Sequence, residues 1–182
     1  MSDSQTSVLF VCLGNICRSP LAEGIFSHQA ALRGLADRLE VDSAGTGAYH
    51  AGEPPDSRSV AVAASHGVRL TGTARQVAMD DFGRFDLIVA MDRSNQRSLE
   101  RLREGGARWG QGRRRYGRGS GAGPQGDRNR ARIVMMRDYD PEGGDPDVPD
   151  PYYGGPGGFE QVYRILERAC RTLLDELAGP DP

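Results

Sequence analysis

The sequence predicts an α/β protein of three layers: a four-stranded parallel sheet with helices on both faces. Three observations predict it. Short, mostly apolar runs alternate along the chain with longer segments whose apolar residues recur at helical spacing. Most of the short runs lack polar alternation, as strands covered on both faces do. Finally, strand, helix, strand is the order that right-handed parallel crossovers generate. In such sheets ligands bind beyond the carboxyl ends of the strands, which makes the loops there the place to look for chemistry.

The elements follow in order. Ser7–Cys12 is an apolar run of strand length, closed by a Gly-containing loop. From Pro20 onward Leu21, Ala22, Ile25, Phe26 and Ala30 mark a helix. Leu39–Ser43 alternates as a second strand and breaks at Gly45. Arg58–His66, rich in Ala and Val, reads as a helix closed by Gly67. Asp86–Met91 is a third strand, and Asp92–Asn95 supplies capping residues for a helix to about Arg103. Ile133–Met136 is the fourth strand. Phe159–Leu177 closes the chain with Phe159, Val162, Ile165, Leu166, Ala169, Leu173 and Leu177 on one stripe.

A chain of 182 residues with 37% apolar content fits a single domain, 1–182, able to bury its own core. The early apolar stretch Val8–Leu13 is far shorter than the ~18–20 residues of a membrane span. Three cysteines, Cys12, Cys17 and Cys170, are an odd number in a chain too large to need stapling, so a reducing cytoplasm is expected. His28, His50 and His66 stand alone, so no metal is expected, and no cofactor is expected either. All 23 cationic residues are Arg. Eight of them against one Asp give Gly105–Arg132 a charge of +7, leaving 15 Arg against 24 acidic residues, or −9, elsewhere. The Gly/Arg-rich stretch at about 104–132 has little to bury and is expected to be a flexible, solvated insertion.

The segment Cys12-Leu-Gly-Asn-Ile-Cys-Arg18-Ser19 sits where the first strand turns into a helix. Backbone N–H groups of Leu13, Gly14, Asn15, Ile16, Cys17 and Arg18 can converge on one point, and the helix that follows adds the positive end of its dipole. The Arg18 guanidinium can fork onto two oxygens of a bound dianion, which a Lys could not do. The same field favours a thiolate at Cys12. Taken singly, Cys12 is a buried strand-end residue and Arg18 a first-turn charge; in combination with Gly14 and Ser19 they form a nucleophile inside an anion cradle.

Here the chain resembles the low-molecular-weight protein tyrosine phosphatases of bacterial type. The resemblance rests on Val11–Pro20, Asp42-Ser-Ala-Gly-Thr46, Pro54-Pro-Asp-Ser-Arg58, His66-Gly67 with Ala74-Arg75, Met91-Asp92 and Asp147–Gly154, in that order, and leaves out Gly105–Arg132. It implies the Rossmann-like fold of phosphotyrosine phosphatase I type and a two-step phosphoryl transfer. Cys12 would be the nucleophile, Arg18 and the loop from Leu13 to Ser19 the phosphate binder, and Asp150 the general acid and then base. Asp150 is one of six acidic residues in Asp138–Asp150, and only the family's Asp-Pro-Tyr-Tyr pattern selects it. The resemblance further implies that Ser19, Ser43 and His66 hold Asn15 at positive φ. Cys17 becomes a candidate resolving thiol for an oxidised Cys12. Leu13, Ile16, Tyr49, Tyr152 and Tyr153 would wall a slot deep enough to favour phosphotyrosine over phosphoserine.

Two relatives of this fold have other chemistry. Arsenate reductases need further cysteines mid-chain, and none lies between Cys17 and Cys170. Protein-arginine phosphatases carry Thr where this chain has Ile16 and lack the tandem Tyr152–Tyr153. A rival of a different class is nucleic-acid or acidic-partner binding through the Arg-rich Gly112–Gly121. It is one short tract against a −9 body, so no nucleic acid is expected as the main partner. The expected partner is a phosphotyrosine protein, with a bacterial tyrosine kinase as a candidate, and the expected state is a monomer.

Overall fold

The computed structural model describes residues 5–112, 130–155 and 157–179. Strands β1 (Thr6–Cys12), β2 (Leu39–Gly45), β3 (Leu87–Ala90) and β4 (Arg132–Met135) form one parallel sheet in the order β2-β1-β3-β4. Helices α1 (Arg18–Leu32), α2 (Ser57–Ser65), α3 (Asp81–Arg84), α4 (Arg93–Gly112) and α5 (Gly158–Ala178) connect and cover it. The expected three-layer α/β fold is the observed one.

Both faces of the central strands are buried because each strand feeds two cores. Val8, Phe10 and Cys12 of β1 and Leu87 and Val89 of β3 face the layer that includes α1 and α5. Leu9 and Val11, with Ile88 and Ala90, face the opposite core, which holds Phe82 of α3 and Leu99 of α4. Burial on two sides is why these strands read as continuous apolar runs. The amphipathic stripe foreseen on the last helix is buried, Val162, Leu166, Ala169 and Leu173 being closed off completely.

The strand order decides where a site can form. From β1 the chain crosses to β2 on one side, and from β3 it goes to β4 on the other. The crossovers therefore part company at the carboxyl ends of β1 and β3, opening a crevice between the Cys12 loop and Asp92.

Boundaries moved in ways with local reasons. α1 begins at Arg18, two residues before Pro20, which is compatible with a first turn whose N–H groups have no intrahelical partners. β4 starts one residue early, and Met136 begins a 3₁₀ turn instead (Met136–Tyr139). The short α3 was not anticipated; its Asp81 is buried and accepts the N–H of Ala78 at 2.8 Å. α4 runs through Gly112, nine residues past the expected end at Arg103, into the stretch read as an insertion. Most of the remainder of that stretch, 113–129, lies outside the described residues. No described helix is long and apolar enough to cross a membrane.

Candidate active site

Cys12 ends β1 and Arg18 begins α1, so the five residues between them must turn within one loop. The turn is made at Asn15, with φ +56° the sole non-glycine at positive φ among the described residues. Its buried side chain is held on every polar atom. The amide nitrogen donates to Ser19 Oγ and Ser43 Oγ, each at 2.9 Å, and the amide oxygen accepts the N–H of Arg75 at 2.9 Å. Ser43 in turn donates to Glu23 at 2.6 Å. The backbone N–H of Asn15 then points inward, 3.3 Å from Cys12 Sγ, and Ser19 Oγ lies 3.0 Å from the same sulfur.

This network includes Ser19 and Ser43, as expected, but not His66. The imidazole Nε2 lies 3.0 Å from Glu160, and the ring stacks on Tyr163 at 4.0 Å between centroids. His66 caps the end of α2 and fastens it to α5. Instead, Glu23 and the Arg75 backbone complete the hold on Asn15. Glu23 sits above its ordinary carboxyl value because it is buried, with the Ser43 bond opposing the shift and the Asp42 charge adding to it.

Arg18 is 5% exposed and is aimed by two carboxylates and a carbonyl. Its Nη1 donates to Asp92 at 2.7 Å and to the Val148 carbonyl at 3.1 Å; its Nη2 donates to Asp150 at 3.3 Å. Burial opposes its charge, but the negative charge of Cys12, Asp150 and Asp92 outweighs burial and holds the guanidinium above its ordinary value. Asp92 is the helix cap its place before α4 predicts, accepting the Asn95 N–H at 2.7 Å. Its second oxygen serves Arg18, a role that its place at the end of β3 signals.

Arg18 and Asp150 line one cavity of about 360 Å³ with Cys12, whereas Asn15, Ser19 and Asp92 stand behind its wall. Cys12, Cys17 and Arg18 lie in it with Leu13, Gly14 and Ile16 from the loop; Tyr49, Tyr152 and Tyr153 wall it; and Asp150 completes it. His50 was missed. It lines the cavity, its ring against Gly14 and its Nδ1 2.7 Å from Glu53. A Cβ at position 14 would come 3.0 Å from that ring, so glycine there lets the wall close. The Cys17 thiol is buried and pushed up to about 12, by burial first and then by the charges of Asp56, Cys12 and Asp150. It is therefore protonated at neutral pH.

A cysteine sulfur, a buried guanidinium and a carboxylate share one slot under tyrosine walls. The chain matches the low molecular weight phosphotyrosine protein phosphatase profile over residues 7–109 and 120–180. It belongs to that family. A relative from Streptomyces coelicolor, called low molecular weight protein-tyrosine-phosphatase, is 44% identical over 92% of this chain and 90% of its own. A protein tyrosine phosphatase from Entamoeba histolytica, solved with Hepes in its active site, superposes with TM-score 0.77 and 36% identity, covering 96% of this chain and 97% of its own. A Drosophila arginine phosphatase superposes with the same score at 31% identity, covering 96% and 99%. The family profile extends into the stretch the resemblance had left aside, and only 110–119 lie between its two matched segments.

Proposed function

We propose that this member of the phosphatase family hydrolyses phosphotyrosine in proteins through a cysteinyl-phosphate on Cys12. The observation that carries the reading is the shared cavity of Cys12, Arg18 and Asp150. The phosphate dianion enters the loop, where the converging amides and the start of α1 favour negative charge, and the Arg18 fork turns onto two of its oxygens. Sγ of Cys12 attacks phosphorus as the bond to the tyrosyl oxygen breaks, and Asp150 gives its proton to that oxygen. A water then attacks phosphorus and passes a proton to the Asp150 carboxylate, releasing phosphate and the Cys12 thiolate. Arg18, held by Asp92, supplies fixed charge to the equatorial oxygens in both steps.

Ile16 and the tyrosine walls support an aryl substrate, since they can flank a ring standing above the loop. The likeness to an arginine phosphatase makes phosphotyrosine against phosphoarginine peptides the comparison to run. The substrate is a phosphotyrosine-bearing protein, a bacterial tyrosine kinase being the first to try, met in the cytoplasm by a single-domain monomer that needs no cofactor.

The test is hydrolysis of p-nitrophenyl phosphate and of the two peptides. Cys12→Ser is expected to abolish turnover. Asp150→Ala is expected to slow poor leaving groups by up to the ~10²–10⁴ that a general acid contributes, and good ones far less. Wild-type protein inert on every aryl phosphate between pH 5 and 7 would remove the assignment, and a preference for phosphoarginine would redirect it.

A further inference from the structure

The Pro54–Arg58 motif has no part in the reaction above, yet it lies between its two halves. The Asp56 backbone N–H donates to the Ile16 carbonyl at 2.8 Å, so the start of α2 hangs on the phosphate loop. The Asp56 side chain caps α2 through the Arg58 N–H at 2.8 Å and also accepts Nε and Nη2 of Arg58, at 3.0 and 2.8 Å. With that edge of the guanidinium fixed, Nη1 donates to the Tyr152 carbonyl at 3.2 Å. The Tyr152 N–H donates to Asp150 Oδ1 at 3.1 Å. The guanidinium also lies over the rings of Tyr152 and Phe159, 5.2 and 4.7 Å from their centroids.

We propose that Arg58 is a positioning residue for Asp150, a rigid strut that carries the geometry of the phosphate loop to the general-acid segment. The inference rests on the reading of Asp150 as that acid. Its physical basis is that none of the described residues of 149–157 lies in a helix or strand, and three of the nine are Gly. Arg18 tethers this segment through Asp150. When a phosphate takes the Arg18 fork that tether is surrendered, whereas the Arg58 contact to Tyr152 involves no group that binds phosphate. Arg58 therefore keeps the acid in register during the reaction. A Lys cannot replace it, because a point charge cannot grip Asp56 on one edge, reach a carbonyl on the other and lie flat between two rings.

The test compares wild type, Arg58→Ala, Arg58→Lys and Asp150→Ala in kcat/KM on phenyl phosphate and on p-nitrophenyl phosphate, with competitive inhibition by inorganic phosphate measured alongside. Arg58→Ala is expected to lose about tenfold on phenyl phosphate, a fraction of the ~10²–10⁴ of a general acid, and much less on p-nitrophenyl phosphate. Arg58→Lys should resemble Arg58→Ala, and inhibition by phosphate should be unchanged in both. Equal loss on the two substrates with weakened phosphate inhibition would mean that Arg58 merely supports the loop, and would overturn the proposal. So would wild-type behaviour of both Arg58 variants while Asp150→Ala shows the leaving-group split. If Asp150→Ala itself shows no split, the general-acid reading is what fails, and the proposal fails with it.

Discussion

Asn15 occupies a conformation that costs an L-residue roughly 1–2 kcal/mol, and its side chain returns more than that through three hydrogen bonds worth ~1 kcal/mol each. Two functions are thus superposed in one residue, and two variants separate them. Asn15→Ala loses the tolerance of positive φ and all three bonds, and is expected to destabilise the fold by about 2–4 kcal/mol, with a clear drop in kcat/KM. Asn15→Gly keeps the backbone freedom, so it should keep more turnover than Asn15→Ala despite losing the same bonds. Thermal denaturation and p-nitrophenyl phosphate hydrolysis read both; equal activity in the two variants would mean that the positive φ is not what the reaction needs. The residues of this loop were legible because they are contiguous, and a strand end, a glycine and a helix start fix their geometry locally. The partners of Asn15 were less so. His66 and Glu23 are each unremarkable in sequence, and the contacts that separate them, to Glu160 in one case and to Ser43 in the other, exist only in the folded chain.

At the scale of elements, the acidic stretch Asp138–Asp150 shows how folding sorts residues that composition cannot. Asp147 pairs with Arg93 at the start of α4, and Asp150 with Arg18. Asp140 is wholly buried, accepting Arg137 at 2.7 Å and both Nε and Nη2 of Arg168 on α5 at 2.9 Å. Burial pushes its carboxyl up, but the bonds from Arg168 and the Glu142 N–H, with the charges of Arg168 and Arg137, hold it below the ordinary range. Asp140 thereby pins the root of the segment that carries Asp150 to α5. Asp140→Asn is expected to cost about 2 kcal/mol at neutral pH, less than a sealed ion pair because Arg168 reaches solvent, and to lower Tm by about 4–8 °C. The sign of the pH dependence follows from the lowered value. The stabilisation is present above the unfolded carboxylate value of ~3.9 and is lost as pH falls through the lower folded value. The Tm gap between wild type and variant should therefore be full at pH 7 and shrink below about pH 4; a gap that widened on acidification would refute the pairing.

For the whole molecule, the family profile matches on either side of 110–119, so residues 113–119 are expected to be dispensable for turnover. Deleting them leaves α4 whole and removes four Arg, taking the formal net charge from −2 to −6. Hydrolysis of p-nitrophenyl phosphate is expected to be unchanged while the isoelectric point falls; lost turnover would tie the segment to the catalytic domain. The sequence by itself determined the layer architecture, the four strands and the loop from Cys12 to Ser19, because apolar periodicity and short-range spacing record what neighbouring residues must do. Only the tertiary structure decided that Arg18 is aimed by Asp92 and Asp150, 74 and 132 residues away, and that Arg58 reaches Tyr152 across 94. The cost of closing a loop grows only with the logarithm of its length, so no spacing in the sequence marks such partners. They meet because the strand order brings the carboxyl ends of β1 and β3 together and the packing of α5 returns the acidic segment to them.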